Sequence, residues 1–170
     1  MVLSDTHGDS LFLEAVLRWA GNDTFDAAIF LGDGIEDLRR AAARTGFSRE
    51  WNMVRGNNDY EASVPEAAVV ESGGHRFFLC HGHRYALYNG NDRLIAAARK
   101  MEADAALFGH THVPSLENTS GLVLVNPGSI GRPRSNAGST FAVINCPPEK
   151  PIDVRFWRID PPGTIYELKR

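Results

Sequence analysis

The chain has 170 residues, 43% hydrophobic and 23% charged, with a formal net charge of -3, a length and balance that suit one domain, 1–170, with a sizeable core. The mild acidity argues against nucleic acid as a stable partner, which calls for a basic stripe. No apolar run approaches the ~20 residues that span a bilayer, and MVLSDTHGD at the start lacks a signal-peptide pattern, so a cytoplasmic protein with no membrane role is expected.

Residues 1–3 are a short apolar run that breaks into Ser-Asp-Thr-His-Gly-Asp, read as a strand entering a loop and, against a usual length of ~5–6, as a strand clipped at its start. Ser10–Ala20 has helical spacing, with Ser10 as the expected N-cap and Gly21-Asn22 as the stop. Residues 26–31 read as a buried strand ending in Gly32-Asp33-Gly34, and Ile35–Thr45 as a helix stopped by Gly46. Residues 50–54 form a short strand before Arg-Gly-Asn-Asn-Asp. Residues 67–71 and His75–Cys80 make a hairpin about Ser72-Gly73-Gly74, and its second strand runs into His81-Gly82-His83. Residues 92–101 are a helix with Asn91 as cap. Residues 105–108 are a strand before Gly-His-Thr-His, and 122–125 a strand before Asn-Pro-Gly-Ser. Strands at 140–145 and 152–159 flank a proline-rich loop that excludes helix and central strand. Strand and helix alternate in the first half, and strands dominate the second. That order implies a mixed sheet, or two packed sheets, with helices outside. Cys80 and Cys146 are expected as reduced, buried thiols, and Trp19, Trp51 and Trp157 as packing residues.

The polar clusters Asp5/His7, Asp33, Asn57/Asn58/Asp59, His81/His83 and His110/His112 each follow the last apolar residue of an expected strand. The carboxyl ends of strands are where α/β proteins assemble sites. Five of the six histidines fall in these clusters; His75, at a hairpin, is expected at the surface. Asp5 and His7, like His110 and His112, are two apart, so in extended chain both members of a pair project to one side. Asp, His and Asn donors suit Mn, Fe or Zn better than Ca or Cu(I).

The blocks Asp5-Thr6-His7, Gly32-Asp33, Gly56-Asn57-Asn58-Asp59, His81-Gly82-His83 and Gly109-His110-Thr111-His112 stand in an order that resembles the calcineurin-like metallophosphoesterase superfamily. The likeness runs from residue 4 to about 130. With Asn126-Pro127-Gly128-Ser129, it resembles the small branch that includes YfcE-type bacterial phosphodiesterases and the phosphoesterase-like subunit of retromer. The resemblance implies a four-layer α-β-β-α sandwich of two mixed sheets flanked by helices. It also implies two divalent ions, Mn²⁺ above all, with Fe, Zn or Ni as alternatives. Asp5, His7, Asp33 and His112 would hold one ion; Asp33, Asn57, His81 and His110 would hold the other, with Asp33 bridging. A hydroxide shared by the ions would attack a phosphate ester in line.

Many members of the superfamily carry a histidine where this chain has Asn58, and an amide cannot deliver a proton near neutral pH. Activated aryl diesters should suffer least from that loss. His83 and Asp9 are the nearest substitutes for the acid, Asp59 is expected to orient a ligand, and Asn58 and Arg132 are expected to contact phosphate, as Arg134 would if it reached the site. The expected partner is a small phosphate-ester substrate, with diester favoured over monoester, and homo-oligomer formation is left open. The alternative is a scaffold that keeps the metal site without strong catalysis, like the retromer subunit.

Overall fold

The central strands bury residues on both faces, and the alternation decides the layers. The computed structural model describes residues 1–22 and 24–169. In chain order its elements are β1 (Val2–Leu3), α1 (Ser10–Ala20), β2 (Ala28–Phe30), α2 (Ile35–Thr45), β3 (Trp51–Met53), β4 (Ala67–Ser72) and β5 (His75–Cys80). Then come α3 (Asp92–Lys100), β6 (Ala105–Leu107), β7 (Ser115–Thr119), β8 (Leu122–Asn126), β9 (Ser139–Asn145), β10 (Asp153–Asp160) and β11 (Thr164–Glu167). Two sheets result, in the orders β11-β10-β9-β1-β2-β3 and β4-β5-β6-β8-β7.

Leu3, Phe30 and Phe141 point to one side of the first sheet, where they pack with Leu13 and Leu17 of α1 and Leu38 of α2. Val2, Ile29, Leu31 and Val54 point to the other side and meet Phe77, Leu79, Leu107 and Val125 of the second sheet. The outer face of that sheet, with Phe78, Cys80, Ala106 and Leu124, covers Leu94 and Ala98 of α3. Period-two alternation thus feeds three apolar layers, and the four-layer α-β-β-α sandwich expected from the sequence is what forms.

Both sheets are mixed. β1, β2 and β3 run parallel to one another, and β5, β6 and β8 do the same in the second sheet; the remaining pairings are antiparallel. Six strands therefore deliver their carboxyl ends to one edge of the sandwich.

Several local expectations are corrected. The cap of α1 is Asp9, whose carboxylate accepts the Phe12 N–H at 3.2 Å, and Ser10 is already helical. Asp9 is thereby engaged as a cap and not free as the proton donor it was expected to be. Asn91 precedes α3 without a side-chain cap bond. Strands β7 and β11 were not anticipated. Both are outermost in their sheets and have half-buried or exposed side chains, so nothing in their sequence needs to alternate. Cys80 is buried and Cys146 half-buried, and both are free thiols. Trp19 packs against Phe25, Phe141 and Trp157, and Trp51 against Phe30 and Phe47, as expected. His75 is half-buried, its Nε2 at 3.3 Å from the Pro147 carbonyl. No helix among the described residues is long and apolar enough to cross a membrane.

Candidate metal centre

The loops after β1 and β2 are laced together before any side chain is considered. Asp5 N–H donates to the Gly32 carbonyl at 3.0 Å, and the Thr6 and His7 N–H groups donate to the Asp33 carbonyl at 3.0 and 3.3 Å. The loop after β3 lies so close that a Cβ on Gly32 would come within 2.4 Å of Gly56 N. Across the two sheets, a Cβ on Gly109 would fall 2.1 Å from Ser4 Oγ. Those glycines let six strand ends crowd into one spot.

Asp5, His7, Asp33, His110 and His112 adopt positive φ, at 58°, 46°, 58°, 68° and 61°. Such conformations cost on the order of 1–3 kcal/mol each in non-glycine residues and persist where the surroundings impose them. They also correct the extended geometry expected of the two pairs. Asp5 and His7 converge because two left-handed bends turn both side chains inward.

Each carboxylate is aimed by its own donors. Asp5 is fully buried; its Oδ2 accepts from Ser4 Oγ at 2.6 Å and from His110 N–H at 3.1 Å. Its Oδ1 has no hydrogen-bond partner, although it lies 3.1 Å from His112 Nε2, 3.7 Å from His7 Nε2 and 3.9 Å from His81 Nε2. Asp33 Oδ2 lies 3.6 Å from His7 Nε2 and 3.4 Å from His81 Nε2. The buried rings of His81 and His112 are held from behind: their Nδ1 atoms lie 2.8 Å from the Leu31 carbonyl and 2.6 Å from the Arg132 carbonyl. An Nδ1–H donated to a carbonyl leaves the Nε2 lone pair facing the centre, which is how imidazole ligands are oriented.

The donor set fits divalent cations. Buried polar atoms rarely go unpaired, yet Asp5 Oδ1 and His81 Nε2 both do, and both point at the same space. Two trios have ligand atoms within 4.8 Å of one another: Asp5, His7 and His112, and Asp5, Asp33 and His81. Asp5 is common to both, and Asp33 Oδ2 sits between His7 and His81. The centre therefore has two carboxylates with reach to both sides.

A family model of the calcineurin-like phosphoesterase superfamily domain matches residues 1–148. The chain belongs to that superfamily.

Phosphodiesterase YfcE of Escherichia coli strain K12 is 26% identical over 167 residues, spanning 85% of this chain and 86% of its own. A Streptococcus pneumoniae protein described as a predicted phosphoesterase superimposes with a TM-score of 0.77 at 30% identity, over 99% of this chain and 95% of that one. A single mutant of Vps29 from Entamoeba histolytica gives a TM-score of 0.79 at 19% identity, over 98% of this chain and 95% of its own, and so shares the fold.

In this metallophosphoesterase the other expected site residues stand as follows. His110 is half-buried with its ring centroid 5.3 Å from that of His81, and Asn57 is exposed with no hydrogen bond among the described residues. His110 does not belong to the two trios. Asn58 donates its backbone N–H to Asp33 Oδ1 at 2.8 Å and its amide to Oδ2 at 2.5 Å. Asp59 accepts four backbone N–H groups, those of Asp33, Gly34, Ile35 and Gly56, at 2.7–3.0 Å. That carboxylate also meets the positive end of α2. His83 packs its ring 5.6 Å from His81. Arg132 enters the centre through its carbonyl on His112, and its side chain is exposed.

Sequence reasoning missed two supporting residues, Asp37 and Ser4, and the contact made by a third. Asp37, in the first turn of α2, accepts from Thr6 Oγ1 at 2.8 Å and Gly8 N–H at 2.7 Å, holding the loop that carries His7. Ser4 orients Asp5, and Ser129, whose block was recognised but whose contact was not, donates its Oγ to the Asp5 carbonyl at 2.7 Å. The Asn126 block was recognised, and its role is now visible. Buried Asn126 donates to the Gly109 carbonyl at 2.8 Å and to Thr111 Oγ1 at 3.0 Å, and accepts from Gly128 N–H at 2.9 Å.

Charge follows from these distances. Burial alone would raise Asp5, but the imidazoles of His112 and His7 outweigh it and hold the carboxyl well below its ordinary range. Burial works against Asp33 too, and His81 with Asn58 lowers it. Burial would lower His81, and Asp33 and Asp5 raise it instead. His110 and His83 are pushed down, first by burial and then by His81. A cavity of about 570 Å³, lined by Met1, Phe25, Val70 and Cys146 among others, includes none of these residues.

Proposed function

We propose that this metallophosphoesterase is a metal-dependent hydrolase of small phosphate esters, diesters foremost, with two divalent ions, Mn²⁺ first. Asp5, His7, Asp33, His81 and His112 would hold the ions, with His110 and Asn57 completing the set. The observation that carries the reading is the pair of buried, unpartnered ligand atoms, Asp5 Oδ1 and His81 Nε2, aimed into one space beside Asp33. Bound divalent ions supply neutralisation of phosphoryl charge and an acidified water. The residues do the rest. Asp59 positions the Asp33 loop by accepting the N–H groups of Asp33, Gly34 and Ile35. Asn58 offers an amide N–H to a phosphoryl oxygen but no proton. His83, pushed down first by burial, would serve as a hydrogen-bonding group. Good leaving groups are therefore favoured. With free thiols and no long apolar helix among the described residues, the cytoplasm is the location that goes with this reading.

The test is hydrolysis of bis-p-nitrophenyl phosphate by the Mn²⁺-loaded protein. Turnover is expected, and Asp33→Asn should lower it by more than the ~10–100-fold typical of outer-shell changes. No turnover with Mn²⁺, Fe²⁺, Zn²⁺ or Ni²⁺, or full turnover in Asp33→Asn, would favour the scaffold reading, for which the shared fold with Vps29 and the Asn58 position speak.

A further inference from the structure

We propose that Tyr88 and Arg134 form a subsite on the rim of the metal centre, so that the ester taken there carries a planar aromatic group next to its phosphate. The inference rests on the phosphoesterase reading above and names the substrate class for it.

The segment after His81 folds as two 3-10 turns, His83–Tyr85 and Leu87–Asn89, hinged at Ala86 with φ of 52°. Leu87 is drawn into the apolar layer under α3, and the turn sends the next side chain outward, leaving Tyr88 67% exposed. A single exposed aromatic is ordinary on a protein surface. This one is fixed. Its ring lies edge-on to His110, with centroids 5.7 Å apart, and its hydroxyl accepts from Arg134 Nη1 at 2.8 Å.

Arg134 is anchored from the other side, at His112. Its backbone N–H donates to the His112 carbonyl at 3.2 Å, and two residues earlier the Arg132 carbonyl meets His112 Nδ1 at 2.6 Å. Among the described residues Arg134 has no carboxylate partner, whereas Arg84, on the preceding turn, is paired with Glu66 at 2.7 Å. A guanidinium carries five N–H donors in a rigid fork. One is spent on Tyr88, and the others remain for a phosphoryl oxygen, for which that fork is matched. The rim thus offers an unneutralised cation and an exposed, held ring side by side, next to His110 and His112. A phosphate on the centre would place its aromatic substituent against Tyr88 and leave an oxygen for Arg134. Stacking of one ring on an aromatic side chain corresponds to roughly a tenfold gain in affinity.

Two inert probes separate the parts. Phenylphosphonate and methylphosphonate, titrated calorimetrically into the Mn²⁺-loaded protein, share the acid group and differ in the ring. The wild type should prefer phenylphosphonate by about tenfold. Tyr88→Ala should bring that ratio to near one. Tyr88→Phe, which removes the bond to Arg134 and keeps the ring, should retain it. Arg134→Gln should weaken both probes alike. A wild-type ratio near one, a ratio unchanged in Tyr88→Ala, or a ratio lost in Tyr88→Phe, as a mere tie between two loops would give, overturns the subsite. Binding of methylphosphonate without a phenyl preference overturns this inference alone. Failure of both probes to bind overturns the phosphoesterase reading with it.

Discussion

The two oxygens of Asp5 do different work. Oδ2 is saturated by Ser4 and by the His110 N–H, which fixes the plane of the carboxylate and leaves Oδ1 turned toward three imidazoles. Asn126 acts one step further out. From a fully buried position it holds the loop from which His110 and His112 project, through the Gly109 carbonyl and Thr111 Oγ1, and it fixes its own turn by accepting from Gly128 N–H. Asn126→Ala strands the Gly128 N–H and leaves the Gly109 carbonyl with the Thr111 N–H alone, at 2.8 Å. The expected cost is ~1–3 kcal/mol of stability and a ~10–100-fold loss of Mn²⁺ affinity. Urea unfolding and a Mn²⁺ titration measure the two effects separately. Unchanged metal affinity in a folded variant would show that the loop keeps its shape without the amide.

At the scale of elements, α2 is the scaffold of the first-sheet half of the centre. Its N-terminal amides are gripped by Asp59, and its Asp37 reaches back to Thr6 and Gly8. Nothing in the local pattern of Ile35–Thr45 distinguishes Asp37 from an ordinary acidic residue in a first turn, where it suits the helix dipole. Its partners lie about thirty residues earlier in the chain and meet it only because β1 and β2 are parallel neighbours. Asp37→Ala should leave α2 helical, since the Gly46 N–H still closes its C-terminus on the Ala42 carbonyl. The loop at 5–8 should loosen, with faster amide exchange and about tenfold weaker Mn²⁺ binding. Unaltered exchange at 5–8 would remove Asp37 from the role given to it. The strands β7 and β11 show the opposite limit of legibility: their side chains are half-buried or exposed, so they carry no apolar signature to read.

For the whole molecule, the centre is a reservoir of pH dependence. The depressed Asp5 and Asp33 carboxyls contribute stability that is present above their ordinary value of 3.8 and is lost as pH falls toward their folded values. His81 has the opposite sign: its raised value contributes below 6.5 and the contribution is lost as pH rises through the folded value. Protein kept metal-free with EDTA should therefore melt at lower temperature as pH drops below about 4. A melting temperature independent of pH in that range would contradict the lowered carboxyls. Because a ligating imidazole must be neutral, Mn²⁺ affinity should climb with pH through the His81 titration. At a hundredfold excess over its dissociation constant, a bound ion stabilises by about 2.7 kcal/mol, or roughly 5–10 °C for a chain of this size. Differential scanning calorimetry with and without Mn²⁺ checks that shift.

The sequence by itself determined the three helices, nine of the strands and the strand-end positions of the candidate ligands, and the four-layer order followed only from the family resemblance. The sequence could do so because period-two and helical apolar patterns are local, and because Asp and His clusters stand out where those patterns stop. It also marked Asn58 as the missing acid. Only the tertiary structure decided that Asp5 is as central as Asp33, that Asp59 and Asp37 clamp backbone, that Arg132 serves through its carbonyl, and that Tyr88 stands with Arg134 beside His110. Those facts depend on which atoms of distant loops face one another. Left-handed bends at Asp5, His7, Asp33, His110 and His112 set that facing, and hydrogen bonds between loops, within the first sheet and across to the second, hold them.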